Sequence, residues 1–123
     1  MLTAVTPNNV DVMFRAFSDR TRLRLLHLLR AAGGEVCVCD LVRVLGAPQP
    51  KVSRHLAYLR RAKLVTARRE GLWMHYRLAK PVGEFHKSLL NCLACCFRSV
   101  PELAGDAERL GRRAAACGVD CCG

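Results

Sequence analysis

Two helical patterns meet at Gly46-Ala47-Pro48, and that junction restricts the fold more than any other stretch. Upstream, Val38, Leu41, Val44 and Leu45 recur at helical spacing, so a short helix begins near Cys37 to Asp40, and Gly46 closes it. Downstream, Gln49 to Arg61 carries Val52, Leu56 and Leu59 on one face and tolerates Pro50 in its first turn. Two short helices joined by a tight glycine-containing turn predict a helix-turn-helix.

The flanking segments extend this pattern. Pro7-Asn8-Asn9 signals a helix start, and Val10 to Phe17 reads as a helix with Val10, Met13, Phe14 and Phe17 on one face. Ser18 offers an N-cap for the next helix, about Arg20 to Ala31, with Asp19 in its first turn. Its five leucines from Leu23 to Leu29 form the buried face, and Arg22, Arg24, His27 and Arg30 form the wet side. Leu64 to Arg69 and Trp73 to Leu78 read as a hairpin around Gly71. Pro81 opens a long helix to about Phe97, with Val82, Phe85, Leu89, Leu93 and Cys96 as its stripe. A last helix starts at Ser99-Val100-Pro101, with Leu103, Ala107, Leu110 and Ala114 in register, and a small-residue tail follows. The expected architecture is mainly α: a winged helix-turn-helix with a β-hairpin wing and added C-terminal helices. It divides into residues 8–97, the winged helix-turn-helix, and 98–123, a helix with a cysteine-rich tail.

The charge points to the partner. Twenty Lys and Arg against ten Asp and Glu give +10 over 123 residues, which favours a polyanion, most commonly nucleic acid. With no apolar run long enough to span a bilayer and no signal-peptide pattern in Met1 to Val12, the chain reads as cytoplasmic, with no membrane partner. Eight cysteines in such a chain argue for metal binding or thiol chemistry over a disulfide framework.

Rotation away from the Val52/Leu56/Leu59 line turns Lys51, Arg54 and Tyr58 outward, with Gln49 and Ser53 on the flank near the helix N-terminus. That end normally contacts base edges, where Gln suits adenine and Arg suits guanine. His55 turns toward the core line and reads as a packing or backbone-bonding residue. Arg68 and Arg69 near the hairpin tip suit phosphate or minor-groove contact, which positions the protein without naming the sequence.

The run Glu35-Val36-Cys37-Val38-Cys39-Asp40-Leu41, followed by Gln49-Pro50-Lys51-Val52-Ser53-Arg54-His55-Leu56-Ala57-Tyr58-Leu59 and Lys63-Leu64-Val65, resembles the ArsR/SmtB family of metalloregulatory repressors. It is most similar to the arsenite-responsive branch, whose signature is Glu-Leu-Cys-Val-Cys-Asp-Leu-Cys. The resemblance covers about residues 8 to 97. It implies a homodimeric winged helix that represses an operator on double-stranded DNA and releases it on binding metal or metalloid, with no required cofactor. It places the dimer contacts on Val10 to Phe17 and Val82 to Phe97. Two positions depart from the pattern: Val42 stands where the family has its third cysteine, and Pro48 where it has a serine. Glu84-Phe85-His86 is superficially similar to the zinc-site branch, but no second His/acid pair follows at the needed distance.

Trivalent arsenic is soft and takes thiolates. On a regular helix Cys37 and Cys39 would face nearly opposite sides, so the expectation is that the helix start unwinds for both to hold one ion. Cys92, Cys95 and Cys96 share one side of a helix and form a second candidate cluster, and Cys117, Cys121 and Cys122 in the tail could close over it. The alternative is packing, since Cys92 and Cys96 continue the Leu89/Leu93 stripe. The inducing site is thus Cys37/Cys39 with a borrowed third sulfur, or Cys92/Cys95/Cys96, or both with one silent. The resemblance favours the first for regulation by arsenite, antimonite or another soft metal ion. Two rivals stay open: a thiol redox-sensing or structural-zinc regulator, and a Cys-x5-Arg thiol enzyme over Cys92 to Arg98. The second lacks the glycine that usually helps such a loop wrap an oxyanion.

Overall fold

A computed structural model describes residues 10–95 and 100–117, the side chains of Cys95 and of residues 112–117 excepted. Pro7-Asn8-Asn9, Cys96, Cys121 and Cys122 lie outside the described residues, as do the side chains of Cys95 and Cys117. Among the described residues the order is α1 (Val10–Ala16), α2 (Arg20–Ala32), β1 (Val36–Cys37), α3 (Val38–Leu45), α4 (Gln49–Arg61), β2 (Val65–Glu70), β3 (Trp73–Leu78), α5 (Glu84–Cys95) and α6 (Pro101–Cys117). The chain is mostly helical, with a helix-turn-helix at α3–α4 and an antiparallel sheet in the order β1-β3-β2.

Helix α2 is the hub. Leu25, Leu26, Leu28 and Leu29 are buried, and α2 packs on α3, α4, α5, α6 and β3. Its N-cap is Asp19 rather than Ser18: Asp19 has extended backbone, and its carboxylate accepts from the Arg22 N–H at 3.1 Å. The Ser18 hydroxyl instead donates to the Arg15 carbonyl, closing α1. The wet side is smaller than expected. His27 is buried, and Arg24 is drawn into an ion pair.

Strand β1 is absent from the sequence reading because two residues cannot show a period. Its register pairs Val36 with Tyr76 and Cys37 with His75. In α1 the buried residues are Met13 and Ala16, whereas Phe14 is 53% exposed and meets Phe85 edge-on at 5.4 Å. Helix α5 begins at Glu84, later than Pro81, and Val82 is 50% exposed. Its buried line is His86, Leu90 and Leu93; Phe85 and Leu89 pack half-buried beside it. His86 enters that line because its Nδ1 accepts the Val82 N–H at 3.3 Å, satisfying a donor just ahead of the helix.

Helix α6 packs across α2 and α3. The expected line of Leu103, Ala107, Leu110 and Ala114 is replaced in part by Asp106, which is fully buried with Leu103 and Leu110. Arg24 donates to both Asp106 carboxylate oxygens, at 2.7 and 2.9 Å, and Arg109 also pairs with Asp106. The Asp106 bond raises the Arg24 pKa above its ordinary value. A buried pair of this kind adds little over an apolar contact, but breaking it strands a charge. Asp106→Ala should therefore cost about 3 kcal/mol of unfolding free energy. A loss under about 1 kcal/mol in urea denaturation would show that α6 does not depend on the pair.

Candidate nucleic-acid interface and thiol site

Helix α4 presents the face that its period predicts. Val52, Leu56 and Leu59 are buried; Gln49, Pro50, Lys51 and Arg54 are exposed; Ser53 is half-buried on the flank. Gly46, at φ 65°, lets α3 end in a left-handed turn whose N–H reaches the Val42 carbonyl. Pro48 stands at the N-cap of α4 and gives no side-chain cap; its carbonyl accepts from the Lys51 and Val52 N–H groups at 3.1 Å each. The first turn of α4 therefore carries positive dipole and exposed Lys51 with no side-chain acceptor at its N-cap, a combination suited to phosphate.

Tyr58 is a support rather than an outward contact. It is half-buried, with the Arg22 guanidinium 4.0 Å above its ring and Arg61 at 5.8 Å. Arg22 also donates to the Ala16 and Arg15 carbonyls, so one side chain ties the end of α1 to α4. His55 is a packing residue, 15% exposed, with Nδ1 3.4 Å from Arg22 Nη1 and 3.8 Å from Asp19. Burial lowers its pKa below the ordinary 6.5; Asp19 opposes this, while Arg22, Arg54 and Lys51 reinforce it.

On the wing, Arg69, Glu70 and Leu72 are exposed around Gly71, which turns at φ 62°. Arg68 is exposed too, but its fork is occupied. It donates to both Glu35 oxygens at 2.8 and 2.7 Å and to Glu70 at 3.1 Å. Arg68 in turn holds the Glu35 carboxyl below the usual carboxylate range. Sequence reading missed this role of Glu35, and no local signal announces it.

The two cysteines beside Glu35 meet without any unwinding of a helix. Cys37 ends β1 and is the N-cap of α3, with extended backbone at φ −69° and ψ 142°; Cys39 lies in the first turn. The change of backbone between them turns both side chains to one side, and Cys39 Sγ lies 3.0 Å from Cys37 Sγ. Cys37 is buried at 4% exposure and Cys39 is half-buried against the core. The pair would face opposite sides only on one continuous helix, and Cys37 lies outside the helix in extended backbone, so the sulfurs meet without a deformation of α3. Cys37 is also disulfide-bonded in the structure. Asp40 is buried in the first turn of α3, favourably placed on the helix dipole, and Val42 packs against the core. Cys92 is half-buried on α5, three residues before Cys95 on the same helix. Among the described residues no three His, Cys, Asp or Glu side chains converge in a way that could hold a metal ion. None of the described helices is long and apolar enough to cross a membrane.

The profile described as "Bacterial regulatory protein, arsR family" matches residues 19–67. The arsenical resistance operon repressor of Escherichia coli K12 is 49% identical over 79 residues, 64% of this chain and 67% of the relative. The chain belongs to the arsR family of bacterial regulators. The arsenic resistance transcriptional regulator ArsR1 of Pseudomonas putida is 44% identical over 80 residues, 65% of this chain. The matches span 62% and 67% of the lengths of these two curated relatives. The crystal structure of the antimony-specific transcriptional repressor AntR superposes with a TM-score of 0.61 at 30% identity, covering 82% of this chain and 93% of that one. ArsR-family relatives and fold neighbours are transcriptional regulators, not enzymes. The Cys-x5-Arg reading also fails on geometry: Cys92 to Cys95 are helical, with their backbone N–H groups directed along the helix and not around an anion.

The lowered pKa of His55 has a definite sign. A group depressed in the folded state contributes stability above its unfolded value and loses it as pH falls through the folded one. Unfolding free energy should therefore decline as pH drops below 6.5, and His55→Gln should flatten that decline. Identical acid limbs for the two proteins in denaturant titrations would exclude His55 as a source.

Proposed function

We propose that this chain is a metalloid-responsive repressor. It binds double-stranded operator DNA as a homodimer and leaves it when Cys37 and Cys39 take up arsenite, antimonite or another soft metal ion. The observation that carries this reading is the 3.0 Å approach of the two sulfurs at the start of the helix that packs against α4. The names of two relatives support the ligand class: one is a repressor of an arsenical resistance operon, another an antimony-specific repressor.

Helix α4 enters the major groove with Gln49, Lys51, Ser53 and Arg54 toward the DNA. Arg69, and Arg68 once freed, reach the backbone from the wing. A second copy of the chain covers the exposed α1 and α5 side, where Phe14, Val12 and Val82 leave apolar surface in water. Thiolate is the ligating form, so Cys37 takes part only after a thiol reductant has opened its disulfide, and uptake of the ion then releases the thiol protons. Val42 supplies no third sulfur; that ligand comes from the second copy or from a cysteine further along the chain. Cys92, Cys95 and Cys96 provide a second thiol group for soft ions. Hundredfold weaker DNA binding requires the ion to prefer the DNA-incompetent form by about 2.8 kcal/mol.

A second reading rests on the disulfide at Cys37. Oxidation of this thiol would then be the signal.

A labelled duplex selected from random-sequence DNA by the parent protein serves as operator. Reduced parent should release it on adding arsenite, and Cys37→Ser should hold it. Release by the variant would sink the proposed site, and release by peroxide but not arsenite would favour the redox reading. Arg54→Gln should weaken binding and lower the slope of log affinity against log salt by about one if the contact is a phosphate. With a base contact, about 1–3 kcal/mol of discrimination is lost at one position instead. Parent-like affinity and sequence preference would remove Arg54 from the interface.

A further inference from the structure

Cys37, His75 and Arg68 lie in one row across the sheet, since Cys37 pairs with His75 on β3 and His75 pairs with Arg68 on β2. Glu35 stands immediately ahead of β1 and two residues before Cys37. Its carboxylate takes the Nε/Nη2 edge of Arg68 in a two-bond fork. The short strand that ends in the thiol site is thus joined to the wing twice, by backbone pairing to β3 and by a charged fork to β2.

The fork bears on DNA binding. A guanidinium edge that fits a carboxylate fits a phosphate in the same way, and cannot serve both at once. Arg68 keeps half of its side-chain surface in water, on the hairpin that flanks α4. It is placed for the DNA backbone but neutralised by Glu35, with Glu70 on the same Nη2. Operator binding through Arg68 must exchange Glu35 for a phosphate. Whatever fixes Glu35 against Arg68 then weakens binding, and an ion on Cys37, two residues further along the chain at the end of β1, is placed to do so.

We infer that Glu35 is a positioning residue that competes with the operator backbone for Arg68 and relays the state of Cys37 to the wing. This rests on the repressor reading above and adds a route by which ligand binding reaches the DNA. It acts alongside the packing of α3 on α4 and needs no unwinding of α3.

The test uses the selected duplex and the reduced full chain, with Glu35→Gln, Arg68→Gln and the double variant, each checked for parent-like melting. Without arsenite, Glu35→Gln should bind on the order of fivefold more tightly and steepen the salt slope by about one, the signature of one added phosphate contact. A merely structural carboxylate would not move that slope. In the Arg68→Gln background the Glu35 substitution should change nothing. With arsenite, the loss of affinity should shrink by the same factor in Glu35→Gln, while arsenite bound per chain stays at the parent value. Unchanged affinity and slope, or an effect of Glu35→Gln that persists without Arg68, would overturn the competition. An undiminished arsenite response in Glu35→Gln would overturn the relay. A parent that ignores arsenite fails the repressor reading instead, and the arsenite-free arms still decide the competition for Arg68.

Discussion

Burial of Leu25, Leu26, Leu28 and Leu29 along α2 is the contact on which the other elements depend. Each fully buried leucine contributes about 1.5–3 kcal/mol, so together they approach the net stability of a small domain, about 5–15 kcal/mol. Because α2 meets α3, α4, α5, α6 and β3, this one apolar line holds α4, the cysteine-bearing start of α3 and the wing in a common frame. The polar side of α2 also serves the assembly: Arg22 braces Tyr58 of α4, and Arg24 anchors α6 through Asp106. Such pairing explains how so arginine-rich a helix keeps two of its cations largely out of water.

Within that frame the decisive local event is the change from extended to helical backbone at Cys37–Val38. It ends β1, starts α3 and gathers two sulfurs that a continuous helix would separate. The two sulfurs are therefore tied to both α4 and the wing. Through α3 they reach α4; through β1 and Glu35 they reach the wing. A displacement at this point is felt at both, since packed elements shift between discrete arrangements instead of deforming smoothly.

The elements with a long, clear period were legible in the chain. Helix α4 shows Val52, Leu56 and Leu59 inside and Lys51 and Arg54 outside, as its spacing demands, and the hairpin around Gly71 follows its turn residue. Legibility failed where a residue's partner is remote. Arg24 and Asp106 are 82 positions apart, and Arg68 and Glu35 are 33 apart. A charged residue in a periodic helix reads as solvated until its counter-charge is placed. Phe14 failed in the opposite sense: its spacing suits a core face, yet α1 buries Met13 and Ala16 and leaves the ring half in water.

By itself the sequence determined the helix-turn-helix, the basic outward face of its second helix and the paired thiols ahead of it. Each is a local pattern whose period, turn chemistry and residue type are complete within a dozen or so residues. Only the tertiary structure decided that the two sulfurs face each other, that Arg68 is held by Glu35 and that α6 is pinned by a buried carboxylate. Those outcomes depend on where the helix begins relative to Cys37 and on which distant side chains the packing of α2 brings within hydrogen-bonding reach.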